Sequence, residues 1–143
     1  IEAQYQRFVE LTGRQPGYFE GHAVASRNFF KGLEIVADRH GLLYLPMAMD
    51  GPVRFCSTWL YTSMDSMKPD YDPEESLKAA ALKDYGPDGC CMFVCHPGYL
   101  DDEILRESSL TVPRAREVAM AANPDVKRWL EENGVRLVTY DDL

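Results

Sequence analysis

The chain has 143 residues, 45% of them hydrophobic and 27% charged, with a formal net charge of −8. That length is enough for one domain with a buried core. The negative charge opposes binding to nucleic-acid phosphates or to an anionic membrane, and no apolar run approaches the roughly 20 residues of a membrane helix.

The first segment places Ile1, Tyr5, Phe8 and Leu11 at helical spacing, with no initiating Met and no N-cap ahead of them. This predicts a fragment whose sequence begins inside a helix, with residues 1–143 forming a single domain or part of one. No signal-peptide pattern is visible, which points to the cytoplasm. Gly13 stops the helix, with Pro16 just beyond. Residues 17–22 read as a short extended segment. Ser26 or Asn28 can cap a second helix through Phe29, Leu33 and Val36 to Gly41.

Leu42 to Pro46 reads as a buried strand, and Val53 to Leu60 as another extended piece. Residues 61–73 carry Ser63, Asp65, Ser66, Lys68, Pro69, Asp70 and Pro73, a turn-rich loop composition. Pro73-Glu74-Glu75 starts a helix through Leu77 and Ala80, with acidic groups in the first turn to suit its dipole. Cys90 to Cys95 is a continuous apolar run, the pattern of a strand buried on both faces. It breaks at His96-Pro97-Gly98. Pro113 starts another helix, Asn123-Pro124 caps the next, and Val135 to Tyr140 reads as a last strand. Strands alternating with helices predict an α/β fold with a mainly parallel sheet.

In such sheets ligands collect at the carboxyl ends of strands, where His22 and His96 fall. His96, set on a loop by Pro97 and Gly98, suits a general acid or base; the alternative is a histidine that only bonds a turn. Asp101 and Asp102 can orient its ring or hold a substrate hydroxyl, or stand as solvated loop carboxylates. A Cys95–His96 thiol nucleophile is poorly placed, because neighbours at a strand end diverge. His22 and Glu20 are possible metal ligands, although a metal site needs three protein donors as a rule. His40, at a helix C-terminus beside Gly41, has a structural explanation in the helix dipole. Arg114, Arg116 and Glu117 form a surface ion-pair set, or Arg114 reaches a substrate pocket. Trp59, Tyr61 and Tyr99 can stack on sugar rings or, as most aromatics at this density do, belong to the core. The four cysteines lack C-x-x-C spacing and read as small buried thiols in a reducing compartment. No G-x-S-x-G elbow supports a serine hydrolase.

Several segments in order resemble the YdjC-type carbohydrate deacetylases. They are Glu2 to Phe8, Leu11-Thr12-Gly13 with Pro16, His96-Pro97-Gly98-Tyr99 with Asp101 or Asp102, Ser108 to Thr111, Arg114 to Glu117, and Gly134 to Leu143. The resemblance implies part of a distorted (β/α) barrel lacking its N-terminal strands, and hydrolysis of N-acetyl groups on amino sugars or oligosaccharides. It also implies a divalent metal, magnesium or zinc, held by an aspartate and two histidines, most of them outside this chain. His22 maps onto one ligand and His96 onto the histidine near the scissile amide, and Arg114, in a segment that resembles the family's arginine-containing one, is the candidate for binding substrate. The family's Asp-x-His-x-His is here Glu20-Gly21-His22-Ala23-Val24. That departure keeps open a noncatalytic sugar-binding or assembly module on the same scaffold. Exposed edges of an open barrel predict a homo-oligomer or pairing with the N-terminal part.

Overall fold

A computed structural model describes residues 1–22, 24, 26–46 and 51–143; Ala23 of the Glu20–Val24 motif lies outside the described residues. The chain forms two compact units, Ile1–Leu60 with Thr139–Leu143, and Tyr61–Val138.

In the first unit, α1 spans Glu2–Thr12 and stops at Gly13, whose left-handed φ of 70° lets its N–H reach the Val9 carbonyl. Of the apolar positions expected to face inward, only Tyr5 is buried, whereas Phe8 and Leu11 are exposed. The helix α2, Arg27–His40, is capped at Ser26, whose Oγ accepts from the Phe29 N–H, and ends at left-handed Gly41. It buries Leu33, Val36 and Ala37. It also links β1, Tyr18–Phe19, to β2, Leu43–Tyr44, which pair in parallel. A parallel pair requires such a crossover, as the alternation of apolar segments and helix predicted, although Leu43 of the strand expected to be buried is 48% exposed.

The expected single piece over 53–60 is instead a hairpin. Its strands β3, Val53–Phe55, and β4, Thr58–Ser63, pair antiparallel with Phe55 opposite Thr58. Cys56 makes the turn at φ 50°, a left-handed conformation that a side chain disfavours. Without Gly, Asn or Asp there, the turn is invisible to residue pattern. Phe55 packs edge-on against Tyr18 and Tyr140 at 5.8 and 5.5 Å.

The predicted last strand is also corrected. Residues 135–139 have no ladder partner among the described residues, and Tyr140–Asp142 form a 3-10 turn. Apolar alternation marks a strand only where a neighbour completes its hydrogen bonds.

The second unit contains the C-terminal half of β4, then α3, Pro73–Ala81, β5, Gly89–Phe93, α4, Asp102–Glu107, α5, Val112–Ala122, and α6, Pro124–Glu132. Asp72 caps α3 by accepting from the Glu74 and Glu75 N–H groups, and Asn123 caps α6 by accepting from Asp125. Met120, Val126 and Leu130 form its core, packed by Leu77, Phe93 and Trp129. β5 lies beside β4, with the Val94 N–H on the Ser63 carbonyl at 2.8 Å. Gly89 opens β5 where any Cβ would sit 2.0 Å from the Tyr85 carbonyl oxygen. Its residues are half-buried throughout and not fully buried as expected, because β4 is its one strand partner among the described residues. The short helix α4 was unforeseen: Asp101 accepts from the Ile104 N–H and caps it.

Candidate functional site

His96 follows β5 by three residues, so the strand end and Pro97-Gly98 fix where its main chain lies. Its backbone N–H donates to Glu117 Oε2 at 2.6 Å. Its carbonyl accepts from Arg114 Nη1 at 3.5 Å. Arg114 and Glu117 are one turn apart on α5, so a single helix face holds this residue at both ends of its backbone. The ring is held separately, by Ser66 Oγ at 3.3 Å from Nδ1. With Nδ1 engaged, Nε2 is the ring nitrogen without a hydrogen-bond partner among the described residues.

Glu117 is 0% exposed. A carboxylate at that depth must find donors, and it has the His96 N–H and the Tyr71 hydroxyl, the latter at 2.8 Å. Burial, and then the bond to Glu117, push the Tyr71 phenol well above its ordinary range. Arg116 donates to the Tyr71 carbonyl at 3.4 Å. The surface ion-pair set expected of Arg114, Arg116 and Glu117 is therefore not what forms. Glu117 shares the inward face of α5 with Met120, three residues on, and its partners are neutral donors.

Arg114 is half-buried, and its Nε donates to the Leu110 carbonyl at 2.9 Å, which ties the guanidinium to the loop between α4 and α5 as well as to the His96 carbonyl. Asp101 is occupied as the α4 cap, and exposed Asp102 pairs with Arg106 at 3.2 Å. Neither aspartate is bonded to His96. Burial, with the Glu117 charge nearby, raises the Cys95 thiol, opposing the thiolate that a nucleophile needs. All four cysteines are free; Cys56 is exposed, against the expectation of four buried thiols, because it sits on the hairpin turn. Tyr99, beside the Pro97-Gly98 turn, is 85% exposed. Trp59 carries Arg54 over its ring, and Tyr61 packs on Tyr85 at 5.2 Å.

His22 lies in the other unit. Its Nε2 meets Glu20 Oε1, and its side chain is 78% exposed. Gly21 lets the backbone between them lie against Phe30, where a Cβ would come within 2.7 Å of the ring. The pair edges an open hollow of about 400 Å³ lined by Tyr5, Phe8, Tyr18 and Phe19 among others. Burial, and then the Glu20 charge, raise the Tyr18 phenol. The imidazole and carboxylate are donors suited to a divalent metal. Among the described residues no three His, Cys, Asp or Glu side chains are grouped to hold one. His40 is structural: it stacks on Tyr5 at 3.9 Å and bonds Glu2 Oε1 at 2.8 Å.

Ser66, Tyr71 and Glu117 were missed as site residues. The available signal was the spacing of Glu117 with Met120, which puts the acid on a core face. Ser66 and Tyr71 come from the polar loop and gave no comparable pattern.

In α/β sheets ligands collect outside the carboxyl ends of strands, and His96 with Arg114 lies just past the end of β5. The YdjC-like protein family matches residues 1–132, and the chain is a member of it. It is 29% identical over 156 residues to carbohydrate deacetylase 2 of Listeria innocua, an alignment covering all of this chain and 58% of that protein. It is 26% identical over 159 residues to chitooligosaccharide deacetylase of Citrobacter koseri, covering all of this chain and 59% of that one. A carbohydrate deacetylase of Clostridium beijerinckii is 38% identical over 50 residues, 35% of this chain and 20% of that protein. The chain thus spans about three-fifths of the length of the first two relatives.

Proposed function

We propose that the chain is part of a metal-dependent hydrolase that removes N-acetyl groups from amino sugars or oligosaccharides, on a scaffold forming part of a distorted (β/α) barrel. Support comes from family membership and from relatives named as carbohydrate deacetylases. The observation that carries the reading is His96, held through its backbone and Nδ1 with no bond to Nε2 among the described residues.

Amide hydrolysis adds water across the C–N bond, giving acetate and a free amine. A divalent metal, when bound, supplies polarisation of the carbonyl and activation of the water. In this chain His22, with Glu20 beside it, would contribute to holding that ion; the remaining ligands come from outside the described residues. His96 protonates the departing amine through Nε2, the task a histidine performs best near neutral pH. Arg114 offers guanidinium protons next to His96 to a substrate oxygen. With no complete ligand set among its described residues, the chain by itself is inactive, and it pairs with the remainder of the protein or with a second copy.

A second reading, a noncatalytic sugar-binding or assembly module, rests on Val24 and Glu20 standing where the family has a histidine and an aspartate. Calorimetry with zinc and magnesium on the whole protein separates the two. Binding that is lost in His22→Ala supports the metalloenzyme. No binding by the wild type leaves the sugar-binding module.

A further inference from the structure

The polar loop 64–72 carries none of the motifs by which the sequence resembles the family, yet it supplies two of the most deeply buried polar groups in its unit. Ser66 is 2% exposed and Tyr71 5%. Both point at the same residue: Ser66 touches the His96 ring directly, and Tyr71 touches it through Glu117. Turn bonds hold the loop itself, with the Lys68 N–H on the Asp65 carbonyl at 2.8 Å and the Tyr71 N–H on the Lys68 carbonyl at 3.3 Å. An ion pair between Lys68 and Asp65 closes the same turn.

We infer that the loop 64–72 and Glu117 together form a positioning device for His96, in which Glu117 sets its backbone and Ser66 sets its ring. This inference rests on the proposed deacetylase function for its catalytic consequence only. Glu117 accepts from two donors, so its carboxylate cannot turn without abandoning one of them in a buried site. That fixes the His96 N–H, hence the start of its χ1 rotation. Ser66 then selects one ring orientation by engaging Nδ1, which leaves Nε2 as the ring nitrogen not taken up by the protein among the described residues. Neither residue touches substrate. Both act through His96.

Glutamine can reproduce the Glu117 contacts without the charge. Its oxygen accepts from the His96 N–H, and its amide donates to a Tyr71 hydroxyl turned to accept. Leucine can make neither bond. The whole protein is therefore compared as wild type, Glu117→Leu, Glu117→Gln and Ser66→Ala. Residue-resolved amide exchange is read at His96 and in α6, and ring ¹⁵N shifts are read at His96.

In Glu117→Leu the His96 amide should exchange about tenfold or more faster while α6 amides are unchanged, the signature of local opening. Glu117→Gln should restore it. Ser66→Ala should leave the amide protected but shift the ring nitrogens toward mixed tautomers. On an N-acetylated chitooligosaccharide, Glu117→Leu and Ser66→Ala should lower kcat by about ten- to a hundredfold with KM unchanged, since misplacing a reacting group costs that much. His96 exchange unchanged in Glu117→Leu, or rising only in step with α6, would overturn the inference. If Glu117→Leu does not fold, Tyr71→Phe is judged by the same criteria. If the wild type turns over no acetylated sugar, the deacetylase reading fails, and exchange and ring shifts still decide the positioning role.

Discussion

Removing the Tyr71 hydroxyl strikes one oxygen atom and nothing else in the loop. Tyr71 donates to Glu117 Oε1 at 2.8 Å, and that carboxylate is wholly enclosed. In Tyr71→Phe the oxygen keeps its burial and loses its donor. Hydrogen bonds to buried charged groups are worth about 1.5–3 kcal/mol, so the expected loss is about 2 kcal/mol. For a chain of this size that lowers Tm by about 5 °C. Glu117→Leu should cost a similar amount or more, since it strands the His96 N–H as well as the Tyr71 hydroxyl. The double variant replaces acceptor and hydroxyl together, so its loss should fall short of the sum by about 1–2 kcal/mol. Urea unfolding read at Trp129, in the core of the second unit, measures all three, with Trp59 changed to Phe to silence its signal. A Tyr71→Phe variant within 0.5 kcal/mol of wild type, or strict additivity in the double variant, would refute the buried-network argument.

Alkaline pH tests the same group from the other side. Tyr71 holds its proton more tightly folded than unfolded, chiefly because it is buried. Its contribution is thus complete below its ordinary pKa near 10 and is lost as pH rises above it. Tyr18, Tyr44 and Tyr85 are raised too and share this limb. Tyr71→Phe should flatten the fall in urea midpoint above pH 10 without removing it; an unchanged slope would count against the assignment. At Cys56, left-handed backbone carries a Cβ, and Cys56→Gly should raise stability by about 1 kcal/mol in a thermal melt. A drop instead would mean that the turn depends on the cysteine side chain. Exposed Cys56 should also react with a thiol reagent ahead of Cys95, whose thiol burial raises. Mass mapping of the first label reads the order, and Cys95 labelling first would contradict it.

The elements legible from residue pattern were those stabilised locally. Ser26 and Asn123 announce helix starts by their own side chains, Pro73-Glu74-Glu75 announces another, and Gly13 and Gly41 announce helix ends. The crossover joining β1 to β2 follows from two apolar segments flanking an amphipathic helix. What failed depended on distant partners. Val135 to Tyr140 alternate like a strand but lack a ladder, and the hairpin at Cys56 uses a residue that does not advertise a turn. Among candidate site residues, His96 and His22 stood out because histidines after apolar segments are conspicuous. Ser66, Tyr71 and Glu117 could not, because their roles exist only once loop 64–72 and α5 fold against the same loop. Charge spacing on α5 suggested surface pairs, whereas burial chose Glu117 for the interior.

The central claim is hydrolysis of an N-acetyl group with His96 in acid–base work. Acetate release from an N-acetylated chitooligosaccharide by the whole protein, with zinc or magnesium supplied, tests it most directly. The account predicts release by the wild type, lower by about a hundredfold or more in His96→Ala and lost in His22→Ala. No release with either metal, or a His96→Ala variant as fast as wild type, would contradict it.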